Sequence, residues 1–297
     1  MKKSLYTILS MMLFISSCGE DDNDVTPSTS SLSVTINGLE NLGSEFVYEG
    51  WVIVDGSPIS TGVFTVNDNG VLSATAFDVN TQELEAATKF VLTIEPAIDP
   101  DPMPSAQKLV AGDFAGNSAS LSTSTMPAIG DFSNSGGSLF LRTPTDETGD
   151  NNGNDQYGVW FGVPGMPPTA DFTLPTLPSG WAYEGWVIGD NGPISTGTFT
   201  EFGAVDSSNM FSGTENNAGP PVPGEDLFNN APAGEAFPLD IRGRTVVISV
   251  EPVPDNSAAP FLLKPLLVTL AADADTAPTA HSFGQNFGSL PTGTVTR

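Results

Sequence analysis

The segment YEGWVIVDGSPISTG, residues 48–62, returns 135 residues later as YEGWVIGDNGPISTG, residues 183–197. Aligned without a gap over 46–65 and 181–200, the two stretches share 14 identities in 20. Leu39 and Leu42 upstream correspond to Leu174 and Leu177. A second pair lies downstream at an offset of 156. Residues 90–108 match 246–264 at Glu95/Glu251, Pro96/Pro252, Asp99/Asp255, Pro104/Pro260 and Lys108/Lys264. The change of offset puts 21 extra residues in the second copy, in the turn-rich stretch 209–238. A repeated unit this long implies duplicated domains rather than a solenoid, whose repeats run about 20–50 residues.

Between and around these segments, short apolar runs such as LSVTI, FVLTIE, SLFLRT, GVWFGV, TVVISVE and LLVTL are separated by turn formers. The chain has 31 glycines and 25 prolines to punctuate them. Many short strands with frequent turn signals predict an all-β protein, two tandem β-sandwich-like domains. The expected boundaries are 32–145 for the first domain, 146–158 for an acidic linker and 159–297 for the second. Residues 81–90 (TQELEAATKF) have room for one or two helical turns.

The repeated segment reads as a hairpin around Asp55-Gly56-Ser57-Pro58 and Asp190-Asn191-Gly192-Pro193. Facing Val54 with Ile59 places Trp51 opposite Gly62 and Trp186 opposite Gly197, each ring lying over a bare glycine. Alternation puts Glu49, Trp51 and Ile53 on one face, and Tyr48, Gly50 and Val52 on the other. Both faces are largely apolar, which predicts a hairpin central in its sheet.

The first residues read as an address. Lys2 and Lys3 precede an apolar run over 5–15, and Ile15-Ser16-Ser17-Cys18 closes it. Residues 1–17 are expected to be a secretory signal peptide, excluded from the fold. The closing tetrapeptide resembles a bacterial lipobox, which implies lipidation of Cys18. Cys18 is the chain's one cysteine, so no internal disulfide is available to it. Residues 18–31 are acidic and Ser/Thr-rich, as in a flexible tether. Acidic residues directly after the cysteine resemble the surface-export signal of some Gram-negative lipoproteins. The expected location is the cell envelope, lipid-anchored to the outer membrane, with the outer surface and the periplasmic leaflet both open. The formal charge of −26 becomes −28 once residues 1–17, which hold Lys2 and Lys3 and no acid, are removed. Such a chain repels nucleic acid and anionic headgroups, so membrane attachment falls to the lipid.

The order Tyr-x-x-Trp-Val, a DG-type turn, Pro-x-Ser-x-Gly-x-Phe and a later TIEP before a Pro-rich stretch resembles the C-terminal extracytoplasmic domain of anti-sigma-K-type factors, once in each half. That family places a sigma-binding domain and a transmembrane helix before this module. Here a signal peptide and lipid anchor stand in their place, so sigma binding is not carried over. The resemblance implies a sensory or interaction module, taken to be monomeric, with an envelope protein or a glycan as ligand. The second reading is a surface polysaccharide-binding protein or an accessory to glycoside hydrolysis.

Within the repeat, Tyr48, Glu49, Trp51, Gly62 and Glu95 recur as Tyr183, Glu184, Trp186, Gly197 and Glu251. Paired glutamates suit glycoside hydrolysis, but they equally suit structural hydrogen bonding, and the second is the expectation. No catalytic residue is assigned. His281 is the chain's one histidine. It lacks partners for a serine–histidine site or a histidine-ligated zinc site. No cofactor is expected except calcium, for which Asp146, Glu147, Asp150, Asn152 and Asp155 offer hard oxygens. Their spacing departs from an EF-type loop, and the same stretch reads equally as a flexible acidic linker. Trp160, Trp181 and Trp186 are expected in the core rather than on a sugar-stacking surface.

Overall fold

The short apolar runs pair into three antiparallel sheets, and the described residues are all-β apart from one helical turn and three 3-10 turns. The computed structural model describes residues 28–146, 153–214, 219–255 and 257–297. Residues 1–17, Cys18 with the first part of the tether, Glu147, Asp150 and Asn152 lie outside them.

Strands β1 (Thr29–Asn37), β2 (Phe46–Val54), β3 (Ser57–Phe64), β4 (Ala76–Asn80), β5 (Lys89–Pro96), β6 (Lys108–Ala115) and β7 (Ser118–Leu121) belong to the first half. The helical turn expected near residue 81 is α1 (Thr81–Ala86), whose first amides, those of Gln82 and Glu83, donate to the Asn80 side chain. Next come β8 (Ser138–Leu141), β9 (Gly158–Phe161), β10 (Trp181–Ile188), β11 (Pro193–Phe199), β12 (Gly224–Asp226), β13 (Thr245–Pro252) and β14 (Leu266–Thr269). The chain finishes with β15 (His281–Ser282), β16 (Gly284–Gln285) and β17 (Thr292–Thr296).

The largest sheet runs β3-β2-β5-β6-β7-β17-β1-β4, the second β11-β10-β13-β14-β16, and the third β12-β9-β8-β15. The four-strand order β3-β2-β5-β6 therefore recurs as β11-β10-β13-β14. The registers agree as well: Phe46 faces Pro96 and Trp181 faces Pro252, while Val91 faces Ala111 and Val247 faces Leu267. Two strands cross the boundary expected at 146–158. β17 pairs with β1 and β7 in the first sheet, and β8 pairs with β9 and β15 in the third. One apolar cluster runs through both halves, from Leu32 and Phe90 to Tyr183, Ile248 and Val295.

The hairpin register differs from the expected one. Asp55 and Gly56 form a two-residue turn, both at positive φ (49° and 79°), which pairs Val54 with Ser57 and Trp51 with Ser60. A bulge then inserts Thr61, so Gly62 faces Gly50 and not Trp51. The second hairpin has a longer turn, yet Trp186 again faces Ser195 and Gly185 faces Gly197, with Thr196 inserted. The glycines serve a different contact. A Cβ on Gly50 would sit 2.9 Å from the Phe90 ring, and one on Gly185 would sit 2.3 Å from the Phe161 ring.

The faces follow the expected alternation. Tyr48 and Val52 enter the main cluster, while Trp51 packs with Val91, Ala111 and Ala128 on the other side. Centrality holds for β2 and β10 only, because β3 and β11 end their sheet orders. The first sheet curls so that its ends approach: the rings of Phe64 and Phe77 lie 6.0 Å apart, and Ser73 N donates to Thr65 O at 2.9 Å.

Candidate functional site

Each residue of the repeated hairpin has a defined partner. The Tyr48 hydroxyl donates to the carbonyl of Glu40 at 3.0 Å, and that of Tyr183 donates to the carbonyl of Pro175 at 2.6 Å. Both reach eight residues upstream and tie the incoming segment to the hairpin. The Trp51 indole N–H donates to Thr93 Oγ1 at 2.9 Å, and Thr93 donates to Glu95. The Trp186 indole donates to Ser249 Oγ at 2.8 Å, and Ser249 donates to Glu251. Backbone amides complete each glutamate: Ser105 N reaches Glu95 at 2.8 Å, and Phe261 N reaches Glu251 at 3.0 Å. The outer pair is Ser60 donating to Glu49, and Ser195 donating to Glu184.

The second half draws its acids closer together. Carboxylate oxygens of Glu184, Glu251 and Asp255 all lie within 4.8 Å of one another. Glu184 is 5% exposed and Glu251 fully buried, while Asp255 is half-buried. Burial pushes the Glu184 carboxyl up to about 7, with Asp255 adding repulsion and the Ser195 hydrogen bond opposing. Burial does the same to Glu251, also to about 7, against the bonds from Ser249 and Phe261 and with Glu184 and Asp255 adding repulsion. Glu184 Oε2 is buried without a hydrogen-bond partner. In the first half Glu49 is half-buried and its carboxyl is raised by burial, with Glu95 and Asp99 adding to the rise. Glu95 Oε2 is likewise buried and unpartnered, whereas Asp99 is exposed.

Glu251 and Asp255 also line a cavity of about 530 Å³ where the two halves meet. Its walls are mainly apolar, with Leu42, Phe46 and Ile94 from the first half and Phe261 from the second. One contact beside it joins the halves: Gln107 Nε2 donates to Val253 O at 2.6 Å. Glu40 also lines it. Burial raises the Glu40 carboxyl and lowers the Lys264 ammonium, and the two attract each other.

A third acidic group, Asp206, Glu225 and Asp226, lies in the second half, with the last two in the acidic loop PGEDLF, residues 223–228. Asp226 accepts from Thr145 N at 2.7 Å and from the Trp160 indole at 3.1 Å. Glu225 accepts from Phe211 N at 2.5 Å and Ser212 N at 3.1 Å, and Asp206 from Gly224 N at 2.8 Å. The Asp226 bonds fasten the extra residues of the second half to Thr145 and to β9, and the others tie the segment to itself. Thr93/Ser249 two residues before the glutamate, and Asp99/Asp255 four after it, are the sequence signals that could have located the relay and the third carboxylate.

In the linker, Asn154 Nδ2 donates to Asp146 at 2.5 Å, and Thr143 N donates to Asp155 at 3.2 Å. His281 Nε2 lies 2.8 Å from Asp275 O, in hydrogen-bond contact with a neighbouring turn. Trp51, Trp160, Trp181 and Trp186 are all buried and form no exposed aromatic row. Among the described residues, no helix is long and apolar enough to cross a membrane.

Among known families, residues 25–108, under a third of the chain, match the one described as anti-sigma-K factor rskA, C-terminal. The matched stretch contains the first hairpin and its partner β5. No curated protein and no solved structure matches. The match favours a regulatory type of module over an enzyme.

Proposed function

We propose that this chain is a non-catalytic binding or sensing lipoprotein of the cell envelope, built from two copies of one anti-sigma-factor-like module and anchored through Cys18. The observation that carries the binding role is the cavity between the halves. It is apolar in its walls and acidic at Glu40, Glu251 and Asp255, a combination that suits a ligand with an apolar body and a cationic or hydrogen-bond-donating end. Its volume of about 530 Å³ lies in the range typical of small-ligand pockets. The recurrence of strand order, register, bulge and indole relay supports the two-copy reading. The glutamates of the repeat are engaged by hydroxyl and amide donors, which supports a structural rather than a hydrolytic role for them.

Two n-alkyl series, amines and sulfates, test the cavity. The amines should raise the melting temperature and the sulfates should not, and Leu42→Trp, which fills the space, should remove the effect. Equal responses to both series, or none to either, would sink the binding reading. Anchoring is tested by labelled palmitate: Cys18→Ala should lose both the label and recovery in the membrane fraction.

A further inference from the structure

We propose that Glu184, Glu251 and Asp255 form a calcium site. Oxygen ligands around calcium lie about 2.3–2.6 Å from the ion, so two of them can be at most about 5 Å apart. The three carboxylate oxygens lie within 4.8 Å of one another, inside that limit for every pair. They come from three places fixed independently of any ion: β10, the end of β13 and the turn that follows it. Their remaining bonds leave room for a metal. Ser195 occupies one oxygen of Glu184, and Ser249 and Phe261 N hold Glu251 in place. Ser257 N fixes Asp255 at 2.8 Å.

The second observation is Glu184 Oε2. It is shut away from water, on a side chain 5% exposed, and takes no hydrogen bond from the protein. A buried carboxylate oxygen without a donor is costly. A cation at the meeting point of the three acids supplies what it lacks. No lysine, arginine or histidine among the described residues forms an ion pair with any of the three. Lys264 lies close enough to attract Glu251 without pairing with it. The all-oxygen donor set of three carboxyl groups, which the ion holds in their ionised form, selects a hard divalent ion, and Asp255 and the cavity give it a route in. Among the described residues no second group of acids meets the same distance, which matches the exposure of Asp99 in the first half.

The test is Trp-sensitised terbium luminescence of the whole mature chain, competed by calcium, with calorimetry alongside. Trp186, joined to Glu251 through Ser249, is the expected antenna. One saturable equivalent should appear at pH 7.5, with calcium affinity around 10⁻⁴–10⁻³ M, the range of extracellular sites. Glu184→Gln and Asp255→Asn should each weaken it about tenfold or more. Asp255 is half-buried, so its variant reports even where the loss of Glu184 impairs folding. Calcium without effect up to 10 mM would overturn the site. So would binding that survives both substitutions but is lost in a chain with Asp146 and Asp155 changed to asparagine. Glu251 and Asp255 line the cavity as well, so the alkyl-amine response is read in chelated, calcium-free protein and the metal titration without amine.

Discussion

The Trp186 indole N–H donates to Ser249 Oγ at 2.8 Å, and that hydroxyl passes the chain of bonds to the buried carboxylate of Glu251. Trp51 and Thr93 repeat the arrangement in front of Glu95. A hydroxyl between an indole and a carboxylate satisfies both at once, and its removal leaves both wanting. Thr93→Val should therefore cost more than Trp51→Phe loses in hydrogen bonding, about 2–4 kcal/mol for two orphaned buried groups. Urea unfolding of the two single variants and the double variant checks this. Additive effects would mean that the three groups do not act as a unit.

Stability should fall as pH rises from about 4.5 to above 7. Glu184, Glu251, Asp206 and Asp226 are each raised to about 7 by burial, so the folded chain holds protons that the unfolded chain has released. Their contribution is complete below the unfolded carboxylate values and is lost as pH climbs through about 7. Calorimetric melting between pH 4.5 and 8 should slope downward, and Glu184→Gln should flatten part of that slope. A melting temperature that rises across the window would refute the assignment.

Gly50→Ala and Gly185→Ala should each destabilise by about 1–3 kcal/mol through overpacking against an aromatic ring and against the hydroxyl of Thr61 or Thr196, 2.5 and 2.4 Å from the added carbons. The added carbons would meet Phe90 at 2.9 Å and Phe161 at 2.3 Å. Relief is expected from pairing Gly50→Ala with Phe90→Leu. A double variant no more stable than the single would point to a cause other than the ring.

Removing residues 291–297 should unfold the first half more than the second, although the deletion lies in the second half of the sequence. β17 fills the gap between β1 and β7, and Val295 is fully buried. Arg297 caps the arrangement, donating to Ala87 O at 2.7 Å and lying 4.3 Å over the Phe114 ring. Hydrogen exchange should show new exposure of β1 and β7 amides. Unchanged protection there would show that the strand is dispensable.

The all-β class was legible because turn formers cut the apolar runs to strand length, and the repeat located the hairpins and their faces. What local pattern could not carry was long-range pairing. Nothing in TGTVT announces that it belongs beside LSVTI, since both alternate in the same way. The bulge at Thr61 was also hidden, because an inserted residue leaves composition and alternation almost unchanged while moving Gly62 away from Trp51. Glu49 and Glu184 stood out as acids in an apolar strand. Their neighbours Asp99 and Asp255, which sit among turn formers, did not.

The meeting of β1 with β17 has a consequence for the order of events in the living cell. A polypeptide is made from its first residue onward, so β1 leaves the ribosome long before its neighbour on one side exists. The first sheet stays open on that side until residue 296 has emerged. Closure then waits on completion of the far half, and the sequence that opens the fold is also among the last to settle.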